Sequence, residues 1–213
     1  PSRVFVLHRA GKYGLGSAYL DGFRFGFSRR VDLFFEMDAD GSHDPADLAR
    51  LIAAAADADV VIGSRRAPGG KIIGWGAHRH VLSAGAMSLA RFFLDLKTRD
   101  VTAGFRCYRR AVVGRLLTLP ITSNGYAFQE ETLFYCERLG FRIAEVPVTF
   151  RDRMKGESKM SFAEAMGFFA IVARLRNYRL MGGNADDGTQ PVEHDHGIVG
   201  ADGITLRGEE PVE

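Results

Sequence analysis

The run Glu36-Met37-Asp38-Ala39-Asp40-Gly41-Ser42-His43-Asp44-Pro45 closes an apolar stretch, Val31 to Phe35, and opens a helical pattern. Short, and dense in β-branched and aromatic residues, that stretch suits a strand covered on both faces of a parallel sheet. Asp38 and Asp40 then fall at its C-terminal end. Alternate residues of an extended segment project to the same side, so both carboxylates can reach one ion. Carboxylates with water suit a hard divalent cation, Mg or Mn. Asp44 is a good N-cap, Pro45 is allowed at the first helical position, and Leu48, Leu51, Ile52 and Ala55 follow at helical spacing. In open α/β sheets ligands gather at such strand ends. The same acids would also serve a plain helix start facing solvent, and the pattern alone leaves both readings open.

The chain has room for one sizeable α/β domain in its 213 residues, and its 46% hydrophobic fraction is ordinary for a packed core. Its charge is divided unevenly. Residues 184–213 hold eight acids against one arginine, a net −7, which leaves +9 on residues 1–183 from the overall +2. That basic body favours phosphates or an acidic membrane surface, with solubility as the simpler explanation. Cys107 and Cys136 show neither metal spacing nor a disulfide framework, which suits a reducing compartment. No segment reaches the roughly 18 consecutive apolar residues of a membrane span.

Strand and helix patterns alternate along the chain. Val4 to Leu7 reads as a strand, followed by Gly11, Gly14 and Gly16 and then a helix with Ala18, Gly22, Phe23 and Phe27. Glycines at such a turn let the backbone approach a diphosphate, although Tyr19 stands where a dinucleotide fingerprint needs its third glycine. A strand at 31–37, a helix from 45 and a strand over Asp59 to Arg65 complete a βαβ pattern. Right-handed crossovers would bring the Gly11 loop, the Asp38 and Asp40 loop, and Arg65 to one edge. Because this strand series starts so abruptly at Val4, an N-terminal truncation is expected.

Further on, a helix is expected from about Ala77 to Leu94, carrying Arg79 and Ser83, and a short strand or turn over Thr102 to Tyr108. Gln129 to Leu139 reads as a helix ended by Gly140, and Ile143 to Phe150 as a last strand. Arg151 to Met160 is a basic loop, either a lid over an anion or a solvated loop. Ser161 and Glu164 suit a capping box for a helix through about Tyr178, with Phe162, Met166, Phe169 and Val172 on one face. Such a face is either core or a membrane-interface surface. The domain is expected over residues 1–180, with an acidic, disordered tail over 181–213.

In order along the chain stand Gly14-Leu15-Gly16-Ser17-Ala18, the acidic run, Ile62-Gly63-Ser64-Arg65, Asp100-Val101-Thr102-Ala103-Gly104-Phe105-Arg106, Gly125-Tyr126-Ala127-Phe128-Gln129 and Gly156-Glu157-Ser158-Lys159-Met160. Together they resemble the polyprenol phosphate mannose synthases, inverting family 2 glycosyltransferases, over residues 1 to about 176. The resemblance implies a GT-A-like, Rossmann-like fold: a mostly parallel sheet flanked by helices. It also implies mannose transfer from GDP-mannose to polyprenyl or dolichyl phosphate, at the cytosolic face of a membrane, peripherally or through a membrane-anchoring partner subunit. No nucleic-acid partner is implied.

Carried over residue by residue, the resemblance makes Asp38 and Asp40, with Ser42, the ligands of Mg or Mn at the donor diphosphate. Arg65, Arg79, Arg153 and Lys159 resemble the family's phosphate-binding residues. Gly14, Gly16, Arg106 and Ser158 join the substrate-binding set, and Gln129 and Glu131 are expected to orient the sugar. A lipid phosphate is already an anion near neutral pH, so the displacement needs positioning more than a strong general base.

Ala103 stands where many relatives carry serine, and Arg66 where an aromatic is usual. Relatives begin with a Pro-x-Tyr-Asn-Glu strand and a second strand ending in Asp-Asp-Gly-Ser, and this chain matches neither. Weak GDP binding is therefore expected of it. The alternatives are a polyprenyl-phosphate glucosyltransferase using UDP-glucose, and an inactive remnant acting as a binding module.

Overall fold

The computed structural model describes residues 4–123, 125, 127–152 and 162–180. Helix α1, Leu15–Ser28, starts from Gly14, whose φ of 91° is one that glycine adopts without penalty. Its Leu20 and Phe23 turn into the core, and the chain leaves it through Arg30 at a left-handed φ of 59°. Strand β1, Leu33–Glu36, leads through the acidic loop to a 3₁₀ turn, Pro45–Asp47, and helix α2, Leu48–Ala54. Asp44 caps that turn, its side chain accepting from the Ala46 amide at 2.9 Å.

Next come β2 (Val60–Ser64), β3 (Lys71–Ile73) and α3 (Ala77–Leu94), then β4 (Arg106–Arg109), α4 (Arg110–Leu116) and α5 (Ala127–Arg138). The last elements are β5 (Ile143–Pro147), β6 (Thr149–Arg151) and α6 (Phe162–Leu180).

The main sheet has the order β1-β4-β2-β5. β2 and β5 pair in parallel, while β4 is antiparallel to both of its neighbours, so β1, β2 and β5 share one direction and β4 opposes them. The sheet is thus mixed: three strands share one direction, but the reversed β4 inside it makes two of the three pairings antiparallel, where a mostly parallel sheet was expected. β3 and β6 form a separate parallel pair beside it.

Strand alternation divides the core. Val60, Ile62, Tyr108 and Phe34 face one side, where α1, α4, α5 and the buried Ile171, Val172 and Leu175 of α6 cover them. Val61 and Cys107 face the other, with Phe105 and Val148, against Leu51 and Ala55 at α2.

Three expectations change, and one helix is added. Val4 to Leu7 is not a strand: the segment joins neither sheet, and Val4 is 74% exposed. An apolar run becomes a strand only where a neighbouring ladder accepts its amides. The single strand expected over 143–150 is divided, because Pro147 has no amide to donate and the chain changes sheets beside it. There the Val148 amide donates to the Ser64 carbonyl at 3.1 Å, and its own carbonyl accepts from Lys71 at 3.0 Å. Helix α4, a short apolar turn after β4, had no distinct sequence signal. On α6, Val172 is buried while Phe169 is exposed, so these two members of the expected face do not share an environment. The basic loop from 153, the capping box at Ser161 and the tail from 181 lie outside the described residues.

Candidate active site

The acidic pair lies just beyond the end of β1. Asp38 is half-buried and Asp40 exposed. The Ser42 amide donates to Asp40 Oδ1 at 3.0 Å, and Gly41, at φ 79°, makes the tight turn between them. Asp38 Oδ2 faces the bare backbone of Gly104, where an added Cβ would lie 3.8 Å away. The Ser42 hydroxyl is buried and has no hydrogen-bond partner.

His43 ties this loop to the rest of the site. Its Nδ1 accepts from the Asp38 amide at 3.3 Å, and its ring stacks on Phe105 at 5.1 Å and meets Phe150 edge-on at 5.7 Å. Burial pulls its pKa below the ordinary value, with Asp38 opposing and Arg65 adding to the shift, which agrees with a neutral ring accepting at Nδ1. From α1, Tyr19 stacks on Phe128 at 5.6 Å, and burial together with the charges of Glu36 and Asp38 raises its phenol pKa.

Arg65 leaves β2 on the far side of His43. Its Nε and Nη2 donate to the two oxygens of Asp100 at 2.9 and 2.7 Å, and Nη2 also reaches Thr102 at 2.9 Å. Arg79, in the first turn of α3, pairs with Asp152 at 2.7 Å and lies over the Trp75 ring, 4.1 Å from its centroid. Arg65 also approaches the rings of Phe150, at 5.1 Å, and Trp75, at 5.8 Å. Asp38, His43, Phe150, Arg65, Trp75 and Arg79 therefore form one chain of contacts. The acidic loop and Arg65 converge as expected from alternating strands, whereas the Gly11 loop, the third member expected there, follows no strand.

Other expected site residues take structural positions. Arg106 is fully buried, its guanidinium donating to the carbonyls of Ala103, Val101 and Gln129 at 2.8, 2.8 and 2.9 Å and to Thr132 at 3.2 Å. It presents no surface to a phosphate. Glu131 is also buried, accepting from the Thr122 and Ser123 amides at 3.2 and 2.9 Å and pairing with Arg174, so it joins α5 to α6. Gln129 donates to Glu36 at 3.0 Å, and both residues are buried. Gly16 is closed by packing, since a Cβ there would lie 2.1 Å from the Ser123 carbonyl. Gly14 stays exposed at the start of α1. Arg153, Ser158 and Lys159 lie outside the described residues.

His43, Tyr19 and Trp75 are not among the site residues expected from sequence. His43 sits inside the acidic run, and the stretch 74–76, Gly-Trp-Gly before a helix, was the available signal for Trp75.

An α/β domain with an acidic pair at a strand end facing two carboxylate-held arginines is of the GT-A kind. The Glycosyl transferase family 2 model matches residues 1–117. The chain belongs to that family.

It is 50% identical over 158 residues to the undecaprenyl-phosphate mannosyltransferase of Micrococcus luteus, covering 74% of this chain and 65% of that one. It is 47% identical over 162 residues to the polyprenol monophosphomannose synthase of Mycolicibacterium smegmatis, covering 76% and 61% respectively. The chain thus spans less than two thirds of the length of these relatives.

Among solved structures, glucosyl-3-phosphoglycerate synthase from Mycobacterium tuberculosis with phosphoglyceric acid superposes with a TM-score of 0.58 at 18% identity, covering 77% of this chain and 55% of that one. The same enzyme with Mn2+, UDP-glucose and phosphoglyceric acid gives 0.56 at 18% identity, with the same coverage. At this identity the likeness concerns the fold.

Proposed function

We propose that this chain carries the metal, phosphate and acceptor side of an inverting glycosyltransferase that moves mannose from GDP-mannose to polyprenyl phosphate. The observation that carries the reading is the juxtaposition, across His43, of Asp38 with Arg65, which continues through Trp75 to Arg79, in a chain 50% identical to an undecaprenyl-phosphate mannosyltransferase.

Among the described residues no group of three or more His, Cys, Asp or Glu side chains makes a complete cation cage. Two carboxylates completed by ligand phosphates is the arrangement that suits Mg, and Mn has similar oxygen preferences. Asp38, Asp40 and the orphaned Ser42 hydroxyl fit that role. When bound, such an ion neutralises charge gathering on the departing diphosphate.

The protein's own part is positioning. Arg65, fixed by Asp100, and Arg79, stacked on Trp75, hold an acceptor phosphate as an anion, so its oxygen reaches the sugar without prior proton removal. His43 braces the Asp38 backbone.

A peripheral membrane position is part of the proposal. No helix among the described residues is long and apolar enough to cross a membrane. The outward face of α3 instead leaves Val81, Leu82, Leu89 and Phe92 exposed, the last at 78%, which suits an interfacial contact.

The test follows labelled sugar into undecaprenyl phosphate from GDP-mannose and from UDP-glucose, in a protein carrying the complete relatives' length. Mannose transfer that falls on the order of 10²-fold in Asp40→Asn is expected. Glucose transfer alone would replace the donor assignment. Retained vesicle binding without transfer, unaffected by Asp40→Ala, would make the chain a binding module.

A further inference from the structure

Between α3 and β4 runs a loop, residues 95–105, that carries Asp100, the partner of Arg65. It leaves the helix through Asp95 at a left-handed φ of 57°, and the Leu96 amide turns back to the Arg91 carbonyl at 3.0 Å. The next residues belong to neither helix nor sheet. Their amides are taken by two carboxylates instead: Glu137 accepts from Lys97 and Thr98 at 2.8 and 3.0 Å, and Glu145 accepts from Arg99 and Asp100 at 3.0 and 3.1 Å. Each glutamate grips two neighbouring amides with its two oxygens, through charge-assisted bonds that are stronger than neutral ones.

The two glutamates have different neighbours. Glu137, in α5, also accepts from the Thr98 hydroxyl at 2.7 Å and ties the start of the loop to that helix. Glu145, in β5, stands opposite Ile62 in the parallel ladder with β2, and it holds the amide of the residue that clamps Arg65. Arg65 in turn follows the last residue of β2. The contacts close a ring, from β2 through Arg65, Asp100 and Glu145 to β5, and back to β2 through the ladder. Asp100 is fully buried, so its short side chain takes its position from its backbone, and Glu145 fixes that backbone to the sheet. Both Glu145 oxygens face amides, so its effect on a ligand passes through Asp100.

We propose that Glu145 is a positioning residue for the acceptor phosphate: it holds the Asp100 backbone, which sets where the Arg65 guanidinium stands. The inference rests on the proposed function for what Arg65 binds, and on geometry alone for how Arg65 is held. Glu137, of the same chemistry but tied to the start of the loop, is a structural brace.

Two measurements separate these levels. In the 213-residue chain without substrate, the Arg65 Nε–H resonance is followed by NMR, assigned by its loss in Arg65→Lys. Glu145→Gln sets an amide N–H against one of the two loop amides and should move or broaden that resonance, whereas Glu137→Gln should leave it in place. Glu145→Asp keeps the charge but draws it back by one methylene. It should give a smaller change in the same direction, and it is the variant read if Glu145→Gln does not fold.

In a protein carrying the complete relatives' length, Glu145→Gln should raise the KM for undecaprenyl phosphate about tenfold, as for loss of one charge-assisted hydrogen bond, and leave the KM for GDP-mannose unchanged. Glu137→Gln should lower the urea midpoint without raising either KM. In an Arg65→Gln background, Glu145→Gln should add less than about twofold, because both changes then act through one lost contact.

An Arg65 resonance that Glu145→Gln leaves unmoved, a KM effect equal in Glu137→Gln and Glu145→Gln, or a full effect that persists in the Arg65→Gln background would overturn the proposal. A moved resonance in a protein that transfers no mannose would sink the reaction and leave the positioning of Arg65 by Glu145 standing.

Discussion

Arg65 and Asp100 are clamped by three contacts: the Arg65 backbone amide, Nε and Nη2 donate to the Asp100 carboxylate at 2.7, 2.9 and 2.7 Å. The Asp100 side chain has no solvent exposure and that of Arg65 only 11%. Removing one side of a buried pair leaves the other charge uncompensated, at a cost of about 3–5 kcal/mol. Asp100→Ala is expected to lose stability in that range by urea denaturation. A loss below about 1 kcal/mol would mean that Arg65 finds other partners or water.

Arg106 and Arg79 should separate structure from binding. Arg106→Met strands three backbone carbonyls and is expected to lower stability by several kcal/mol, on the order of a broken buried network. Arg79→Met breaks a partly exposed pair, expected to cost about 1 kcal/mol or less, and, if the proposed reaction holds, raises the KM for lipid phosphate. Paired denaturation and kinetic measurements check both. A folded Arg106→Met whose only defect was a raised KM would restore Arg106 to the substrate-binding set.

Glu36 stands opposite Arg106 across β1 and β4, fully buried. Burial is the largest influence on its carboxyl and pushes its pKa up to about 7. A group whose pKa is raised on folding adds stability at low pH, and that contribution is lost as pH rises through the folded value. Between roughly pH 4.5 and pH 7.5, Glu36 should therefore withdraw about 3 kcal/mol from the folded state. Glu36→Gln removes this dependence, and its amide can donate to the orphaned Gln129 Oε1. Relative to the unmodified chain, the variant should gain stability at pH 8 compared with pH 5. Urea midpoints at the two values decide it, and a constant difference would contradict the assignment.

Gly16 tests whether the glycine-rich turn serves phosphate or packing. A methyl group there would lie 2.1 Å from the Ser123 carbonyl and 2.9 Å from the Phe128 ring, and the first of these is backbone. Gly16→Ala should lower the thermal midpoint, with a cost of about 1–3 kcal/mol typical of overpacking. An unchanged midpoint with weakened phosphate binding would return Gly16 to the ligand side.

Much of the layout was legible because local signals agreed with one another. An apolar, aromatic run marked β1 and a β-branched run marked β2, helical spacing marked α2, and the expected bounds of α3, Ala77 to Leu94, match those found. Asp38 and Arg65 were read as neighbours because both follow strands of one direction. Signals that depend on a partner failed. Val4 to Leu7 has a strand's composition but no place in either sheet, and β4 runs against its neighbours, which its own residues do not reveal.

Sequence by itself determined the alternation of strands and helices, the acidic pair at a strand end, and the family motifs, since each depends on residue spacing along one segment. Tertiary structure decided which charged residues face a ligand. Arg65, Arg79 and Arg106 look alike as arginines near motifs, yet two line a surface and one is sealed beneath the sheet among carbonyls. That difference comes from position in the fold: Arg106 lies within β4 under α5, whereas Arg65 follows the end of β2 and Arg79 lies in the first turn of α3. It is a property of contacts between distant segments, and these form only when the whole domain closes.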